Sequence, residues 1–165
     1  MTIIDTSQSI FDFKVTGQVN LKLYNQHGEL IDERDTKNLV VTTGKNYIAS
    51  RIASNTADIV SYMGIGTSNF INGQTIGSTT PVVGDTTLTA PITPGNRVTA
   101  TPVASGTQVT YTGTFGPSNG SGGIVEAGLF SALTGGTMLA RTTFGIITKA
   151  ISTDTLTLTW TLTVS

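Results

Sequence analysis

The side chains that could take part in catalysis are few and lie far apart in the chain. His27 is the only histidine, and it lies in Asn-Gln-His-Gly, a run of residues typical of a turn. A general base needs a partner that orients it, and the sequence offers neither a second histidine nor a nucleophile-elbow motif around any serine. His27 is therefore interpreted as a solvated turn residue, and no catalytic residue is predicted.

The sequence contains no convincing motif for a metal site or a cofactor site. Three carboxylates lie in the segment 32–35, but the neighbouring Arg34 and Lys37 indicate a solvated edge strand rather than a metal-binding loop. Gly64-Ile-Gly66 resembles the start of a dinucleotide fingerprint, yet residue 69 is Asn and no crossover helix is predicted to follow. Cysteine is absent, which excludes disulfides and zinc–thiolate sites. We predict no metal and no cofactor.

Glu126 differs from these residues because it lies in an apolar strand, between Val125 and Ala127. A carboxylate is almost never fully buried unless it is paired. Glu126 therefore either faces solvent by alternation or has a basic partner such as Arg141 or Arg97. We favour a structural pair between Glu126 and Arg141 over a catalytic acid.

The elements that would position these residues are mostly β-strands. From Thr153 to Val164 the sequence TDTLTLTWTLTV alternates threonines with large apolar residues, which predicts a strand with one buried face. Threonine occupies 32 positions and charged residues only 12% of the chain, a composition that favours pleated, half-buried surfaces. We predict an all-β fold, an antiparallel β-sandwich or jelly-roll-like architecture with about eight strands and one short helix.

Two hairpins and one helix are predicted within this architecture. One hairpin joins 97–104 to 108–115, and the other joins 124–130 to 138–144 across Thr134-Gly-Gly-Thr. The helix lies in TTGKNYIASRIAS, where Thr42 or Thr43 could cap it and where apolar and basic residues recur at helical spacing, namely Tyr47, Ile48, Arg51 and Ile52. We expect this helix to cover one end of the β core.

The chain is expected to form one β-sandwich domain over residues 11–165, preceded by an N-terminal arm over residues 1–10. The stretch 66–95 is rich in Gly, Ser, Thr, Asn, Asp and Pro, and its length predicts a long surface excursion.

Charge and hydropathy exclude two classes of partner. Nine basic and ten acidic residues give a net charge of −1 without a basic patch, so nucleic-acid binding is not expected. The sequence shows no signal peptide and no apolar run long enough to span a bilayer, so we expect no membrane partner and synthesis in a host cytoplasm.

The run IVEAGLFSALTGGTMLARTTF, from Ile124 to Phe144, followed by LTLTWTLTVS, resembles a pattern in tailed-bacteriophage virion proteins. Upstream, Tyr62 to Asn69, the Asp85-Thr-Thr-Leu88 stretch and Arg97 resemble the earlier half of that pattern, so the resemblance covers about residues 39 to 165. It does not distinguish head decoration proteins from tail or fibre-attachment proteins.

The resemblance implies a non-enzymatic virion protein that decorates the capsid exterior and cements adjacent major capsid subunits, as a homotrimer or homodimer. Two alternatives stay open: a tail or fibre-adaptor protein, and a glycan-binding β-sandwich that uses Tyr62, Tyr111 or Trp160 as a stacking platform. The candidate partner-binding residues are apolar residues of the arm and the excursion: Ile3, Ile4, Ile10, Phe11, Phe70 and Ile71.

Overall fold

The protein is an all-β sandwich, which confirms the predicted fold class. Its structure is a computed structural model that describes residues 13–54, 58–67, 69–71, 74–76, 79–92, 97–150 and 153–165. The elements in chain order are β1 (Val15–Tyr24), β2 (Leu30–Lys37), β3 (Leu39–Val40), α1 (Thr42–Ala53), β4 (Tyr62–Thr67), β5 (Asn69–Ile71), β6 (Gln74–Ile76), β7 (Arg97–Thr99), β8 (Pro102–Ser105), β9 (Gln108–Phe115), β10 (Gly122–Phe130), β11 (Met138–Lys149) and β12 (Thr155–Val164).

Two five-stranded antiparallel sheets form the two layers. Sheet A has the strand order β2-β1-β12-β9-β8, and sheet B has the order β3-β11-β10-β4-β7. Strands β5 and β6 pair with each other in a separate two-stranded sheet. The strand total exceeds the predicted eight because β3, β5, β6 and β7 are only two or three residues long, too short to leave a periodic pattern in the sequence.

The alternation in β12 sets the orientation of sheet A. Leu156, Leu158, Trp160 and Leu162 are buried while the intervening threonines are half-buried, as the period of two requires. The buried set packs with apolar residues of sheet B such as Met63 and Leu129 in one main core. We call the face of each sheet that points into this core its inner face, and the opposite one its outer face.

The middle of sheet B is buried on both faces. In β10 every residue from Ile124 to Phe130 is buried, so this strand shows no alternation of burial. Phe130 and Met138 belong to a second, smaller core together with Val41 and Leu88, on the outer face of sheet B. In this second core, residues of sheet B pack against Val41 and Leu88, which lie outside the two sheets.

The predicted hairpin between 97–104 and 108–115 is wrong in part, because its first segment divides between the two sheets. Strands β8 and β9 form a hairpin in sheet A, but Arg97–Thr99 is a separate strand that pairs with β4 in sheet B. The chain changes sheets at Ala100, whose backbone N–H donates to Ser61 O at 2.7 Å. Periodicity cannot reveal this change, because both strands continue the same alternating pattern.

The helix forms where predicted, but its details differ. Val41 is the N-cap and makes no side-chain capping bond, so neither Thr42 nor Thr43 caps the helix. Thr43 Oγ1 instead donates to Met138 O at 2.8 Å, which ties the first turn to β11. Ile52 is exposed rather than packed on the core.

Candidate functional site

Glu126 and Arg141 form an ion pair on the outer face of sheet B. Arg141 Nη2 and Nε lie 2.7 and 3.0 Å from Glu126 Oε2, and neither side chain is exposed to solvent. Strands β10 and β11 pair Glu126 with Thr143 and Gly128 with Arg141, so the two charged residues are diagonal neighbours across the ladder. The hairpin therefore sets their distance.

The guanidinium of Arg141 also binds the segment 79–92, which we call the strap. Nη1 lies 2.7 Å from Asp85 Oδ2, and Nη2 donates to Thr89 Oγ1 at 2.6 Å. A buried arginine thus contacts two carboxylates and one hydroxyl. We call Arg141, Glu126, Asp85 and Thr89 the latch.

Both oxygens of Glu126 are occupied. Oε1 accepts the backbone N–H of Ala90 at 2.7 Å, and Oε2 accepts that of Thr89 at 3.1 Å in addition to the arginine. A general acid or base must present an oxygen to a substrate, and this carboxylate is fully buried beneath the strap. The latch is therefore built to hold a segment of chain, not to carry out acid–base chemistry.

Apolar and backbone contacts complete the attachment of the strap. Leu88 is buried in the outer core of sheet B. Thr67 N donates to Ala90 O at 2.9 Å, and Thr42 N donates to Val83 O at 2.7 Å. The strap is thus bound at both ends and in the middle, which covers a sheet face that would otherwise expose Phe130.

Gly66 permits the close approach of the strap to sheet B. A Cβ atom at this position would overlap Glu126 Oε1 and would lie 2.8 Å from Ala90 O. Gly66 forms an isolated antiparallel bridge with Pro91. A glycine is therefore required where β4 passes between the latch and the strap.

Arg97, the alternative partner considered for Glu126, has a different role. Its Nη1 donates to Ala132 O at 2.6 Å and to Gly135 O at 2.7 Å, and its guanidinium stacks 3.5 Å from the centre of the Phe130 ring. Burial lowers the pKa of Arg97 below its ordinary value. Arg97 fixes the loop between β10 and β11.

Lys149 is a second buried cation, at the end of β11. Its Nζ donates to Gly116 O at 3.0 Å. Desolvation lowers the pKa of Lys149, an effect that the nearby Asp154 carboxylate opposes. This contact ties β11 to the loop after β9.

The outer face of sheet A contrasts with the covered face of sheet B, because its side chains reach solvent. The register places Thr157, Thr159 and Thr161 of β12 opposite Thr114, Thr112 and Thr110 of β9. On β8, Val103 pairs with Thr110 and is 63% exposed. We call these outer-face residues of β8, β9 and β12 the threonine face; it carries no charged side chain.

The other half of the same outer face is charged. Asn20 Nδ2 donates to Glu33 Oε1 at 2.8 Å and to Asp35 Oδ1 at 3.2 Å. Lys22 lies 3.5 Å from Glu33. A polar groove of about 580 Å³ crosses from this half to the threonine face, with Lys37 and Thr161 among its lining residues.

The residues considered for catalysis lie at the surface. His27 is exposed, and its backbone N–H donates to Asn25 Oδ1 at 2.8 Å in a turn. Asp32 binds the Arg34 guanidinium through both oxygens, at 2.8 and 2.9 Å, which lowers the pKa of Asp32. These side chains do not converge with the latch.

Two of the three aromatic residues considered for glycan stacking are buried. Trp160 lies in the main core and donates its indole N–H to Asn38 Oδ1 at 3.1 Å, and Tyr111 is 6% exposed. Tyr62 is half-buried against the outer core of sheet B. A platform that includes Trp160 or Tyr111 is therefore wrong, because the alternation of β9 and β12 turns both rings inward.

The predicted partner-binding residues fall mostly outside the described chain. Ile3, Ile4, Ile10 and Phe11 lie outside the described residues. Phe70 and Ile71 belong to β5, whose side chains are likewise outside the described part of the structure. Their role in binding stays a prediction.

Sequence reasoning missed Asp85 and Thr89 as members of the latch. They precede Arg141 by 56 and 52 residues and lie in a segment without periodicity. The only signal was the isolated Asp85 within an uncharged stretch, which predicts a turn as readily as a buried contact.

Among the described residues, no group of three or more His, Cys, Asp or Glu side chains is placed to hold a metal ion. Across the same part of the chain, no helix has the length and apolar character needed to cross a membrane. No family model matches the chain, and no curated protein and no solved structure shows significant similarity to it.

Proposed function

We propose that this chain is a non-enzymatic structural protein of a tailed-phage virion, which decorates the capsid exterior and cements adjacent major capsid subunits. The observation that carries the proposal is the threonine face, an exposed and uncharged surface presented by a rigid sheet. Together with the sequence resemblance, it favours a protein partner over a nucleic acid or a small substrate.

The threonine face suits contact with another protein. Hydroxyl and methyl groups offer hydrogen bonds and apolar contact without the desolvation cost of charges. Because β12 and β9 are paired along eight residues, these side chains are held in fixed rows. A partner surface then binds with little loss of conformational entropy.

The two edges of sheet A indicate which side receives the partner. Edge strand β2 carries charged residues at most positions, a composition that discourages pairing with another chain. Edge strand β8 has the sequence Pro-Val-Ala-Ser and carries no charge. An extended segment of a capsid subunit can therefore add to β8 along Val103 to Ser105 by main-chain hydrogen bonds, since Pro102 is the residue of this strand without an N–H.

Cementing requires several such contacts at once. A homotrimer or homodimer placed at a junction of the capsid lattice bridges several subunits, and linked contacts gain avidity by effective concentration. The latch supports this role because it holds the strap in place on sheet B. A protein with fixed surfaces can then keep the subunits that it joins in a fixed arrangement.

The proposal is tested by binding to heads of the phage that encodes the chain. The variant Val103→Lys places a charge on the β8 side, and we expect at least a tenfold loss of co-sedimentation with purified heads. The matched control is Ile31→Lys, which changes a similarly exposed apolar residue on the opposite edge strand. Equal binding by Val103→Lys and the unchanged chain would contradict the use of this edge.

The position in the virion is tested separately. Mass spectrometry of separated heads and tails, with antibody labelling of intact virions, should find the chain on heads. Label on tails alone would replace the capsid proposal with the tail or fibre-adaptor alternative, and absence from both fractions would end the virion proposal.

The polar groove of sheet A favours one further candidate, a glycan-binding function. Asn20, Asp35, Lys37 and Gln108 present hydrogen-bonding groups there. A glycan array with hits that Asn20→Ala abolishes would support this candidate, and an array without hits would remove it.

A further inference from the structure

An exposed apolar groove lies at one end of the sandwich, between α1 and the starts of β1 and β3. Its volume is about 390 Å³, and its apolar lining consists of Phe13, Val15, Val40, Ile48, Ala49 and Ile52. Phe13 is 61% exposed and Ile52 is 75% exposed. Exposed apolar side chains that adjoin in one groove mark a binding surface more clearly than the same residues scattered singly.

The groove also leaves one side of α1 without packing. The helix has twelve residues, and Gly44 is its only buried residue. Its first turn contacts the sandwich through Gly44 against the Leu139 backbone and through the bond from Thr43 to Met138, and Tyr47 and Ile48 pack against the main core. A helix of this length gains most of its stability from packing, so an occupant of the groove would stabilise it.

We propose that this groove binds the N-terminal segment, residues 1–12, of a second copy of the chain. The segment carries the large apolar residues Ile3, Ile4, Ile10 and Phe11, which match the apolar lining. Its charged side chains are Asp5 and Asp12, with no lysine or arginine. The groove has Lys45 among its lining residues, and Lys14 follows Phe13 directly, so the charges are complementary.

The point at which the segment joins the body assigns it to a second copy. Phe13 is itself a wall of the groove and is bonded to residue 12, the last of the segment. To bring Ile3 and Ile4 back into the groove of the same chain, the segment must reverse direction, whereas the segment of a second copy can enter the groove without a turn. Extended, it spans about 40 Å, enough to reach a neighbouring molecule.

Each copy provides one segment and one groove, so exchange of segments between copies gives a closed symmetric oligomer when the rotation between neighbouring copies closes. This inference does not depend on the capsid proposal, since it concerns only contacts between copies of this chain. The N-terminal arm thus binds an apolar groove rather than the edge of a sheet.

The natural absence of cysteine allows a direct test by cross-linking. Three double variants combine Ile52→Cys with Ile3→Cys, Ile4→Cys or Ile10→Cys in the full chain. Under mild oxidation we expect at least one pair to form covalent oligomers in high yield. Mixing chains of two different masses should give covalent species of mixed mass, which shows that the cross-link joins separate copies.

Three outcomes of the cross-linking experiment decide the proposal. Cross-linked oligomers support it, cross-linked monomers overturn it by placing the segment in the groove of its own chain, and absence of any cross-link in all three pairs overturns it as well. The control replaces Ile52→Cys by Ile31→Cys, which lies on edge strand β2 and should give no comparable yield.

A second measurement does not require cysteines. Ile52→Asp should weaken self-association at least tenfold in analytical ultracentrifugation, while Ile31→Asp should leave it unchanged. Because both side chains are more than half exposed, the fold should persist, which far-UV circular dichroism checks. Self-association that Ile52→Asp leaves intact would overturn the proposal even if the capsid-binding experiment succeeds.

Discussion

The outer faces of the two sheets differ in what covers them. On sheet A the threonines of β9 and β12 reach solvent, and the strands show the expected alternation of buried and partly exposed residues. On sheet B the strap covers the middle of the outer face, and β10 is buried from Ile124 to Phe130. A solvated face needs only polar side chains, whereas a covered face must satisfy every polar group beneath the cover.

The latch is the physical consequence of covering sheet B. The strap brings backbone N–H groups of Thr89 and Ala90 over the sheet, and Glu126 accepts both. The buried carboxylate then needs a cation, which Arg141 provides. Buried charges of this kind add little net stability, but removing one partner is strongly destabilising.

The largest difference between the two faces should come from Glu126→Ala. This change leaves the Arg141 guanidinium buried without one of its two carboxylates, and two strap N–H groups lose their acceptor. We expect a loss of about 3–5 kcal/mol in the free energy of unfolding, measured by urea denaturation.

The matched control is Glu33→Ala on the outer face of sheet A. Glu33 is paired with Lys22 at the surface, so its removal should cost no more than about 1 kcal/mol. Similar losses of unfolding free energy in the two variants would contradict the burial of the charged pair in the latch.

The next largest effect should come from Gly66→Ala, which tests the close approach of the strap. The added methyl group overlaps Glu126 Oε1, so the strap or the carboxylate must shift, at a cost of about 1–3 kcal/mol. Gly84→Ala in the strap is the control, because its Cβ has no neighbour within 4 Å. Thermal unfolding of both variants checks the difference, and equal stability would contradict the tight packing.

A smaller effect separates a buried threonine from a solvated one. Thr142 Oγ1 donates to Lys37 O at 2.7 Å between the two sheets, and Thr142→Val should lose about 1 kcal/mol of unfolding free energy. Thr112→Val, on the solvated threonine face, should stay within about 0.5 kcal/mol of the unchanged chain. The reverse order would show that the threonine face itself is structural.

The smallest effect concerns the inner face of sheet A at high pH. Burial raises the pKa of the Tyr111 phenol to about 12 from its ordinary value of 10.0. The neutral phenol is favoured in the folded state, so this stability is present below pH 10 and is lost as the pH rises towards 12. Up to pH 10.5 the loss should be under about 1 kcal/mol, and Tyr111→Phe should remove that dependence. A Tyr111→Phe variant whose stability depends on pH in the same way as that of the unchanged chain would contradict this prediction.

The parts of the fold that the sequence predicts are those governed by local pattern. Alternation in β12 predicts the inner and outer faces of sheet A, and the strands on either side of Thr134-Gly-Gly-Thr form the predicted hairpin. That hairpin also brings Glu126 beside Arg141. The sequence could not place Arg97–Thr99 in sheet B, because the choice of sheet depends on the partner strand and not on the strand itself.

The site was predictable only in part for the same reason. Asp85 and Thr89 join the latch through contacts that span 52 to 56 residues, and no spacing rule connects them to Arg141. The apolar groove could not be predicted either, because the exposure of Ile52 depends on how α1 packs against β11. Helical spacing alone predicted that Ile52 would be packed.

The central position of β12 in sheet A has a consequence for biosynthesis. Its two neighbours, β1 and β9, leave the ribosome before it, and the strap likewise emerges before Glu126 and Arg141. Until β12 is released, both neighbours have an unpaired edge and the nascent polypeptide cannot complete sheet A. Sheet A therefore cannot form until β12 has been synthesised, and products that terminate before β12 remain open to cellular proteases.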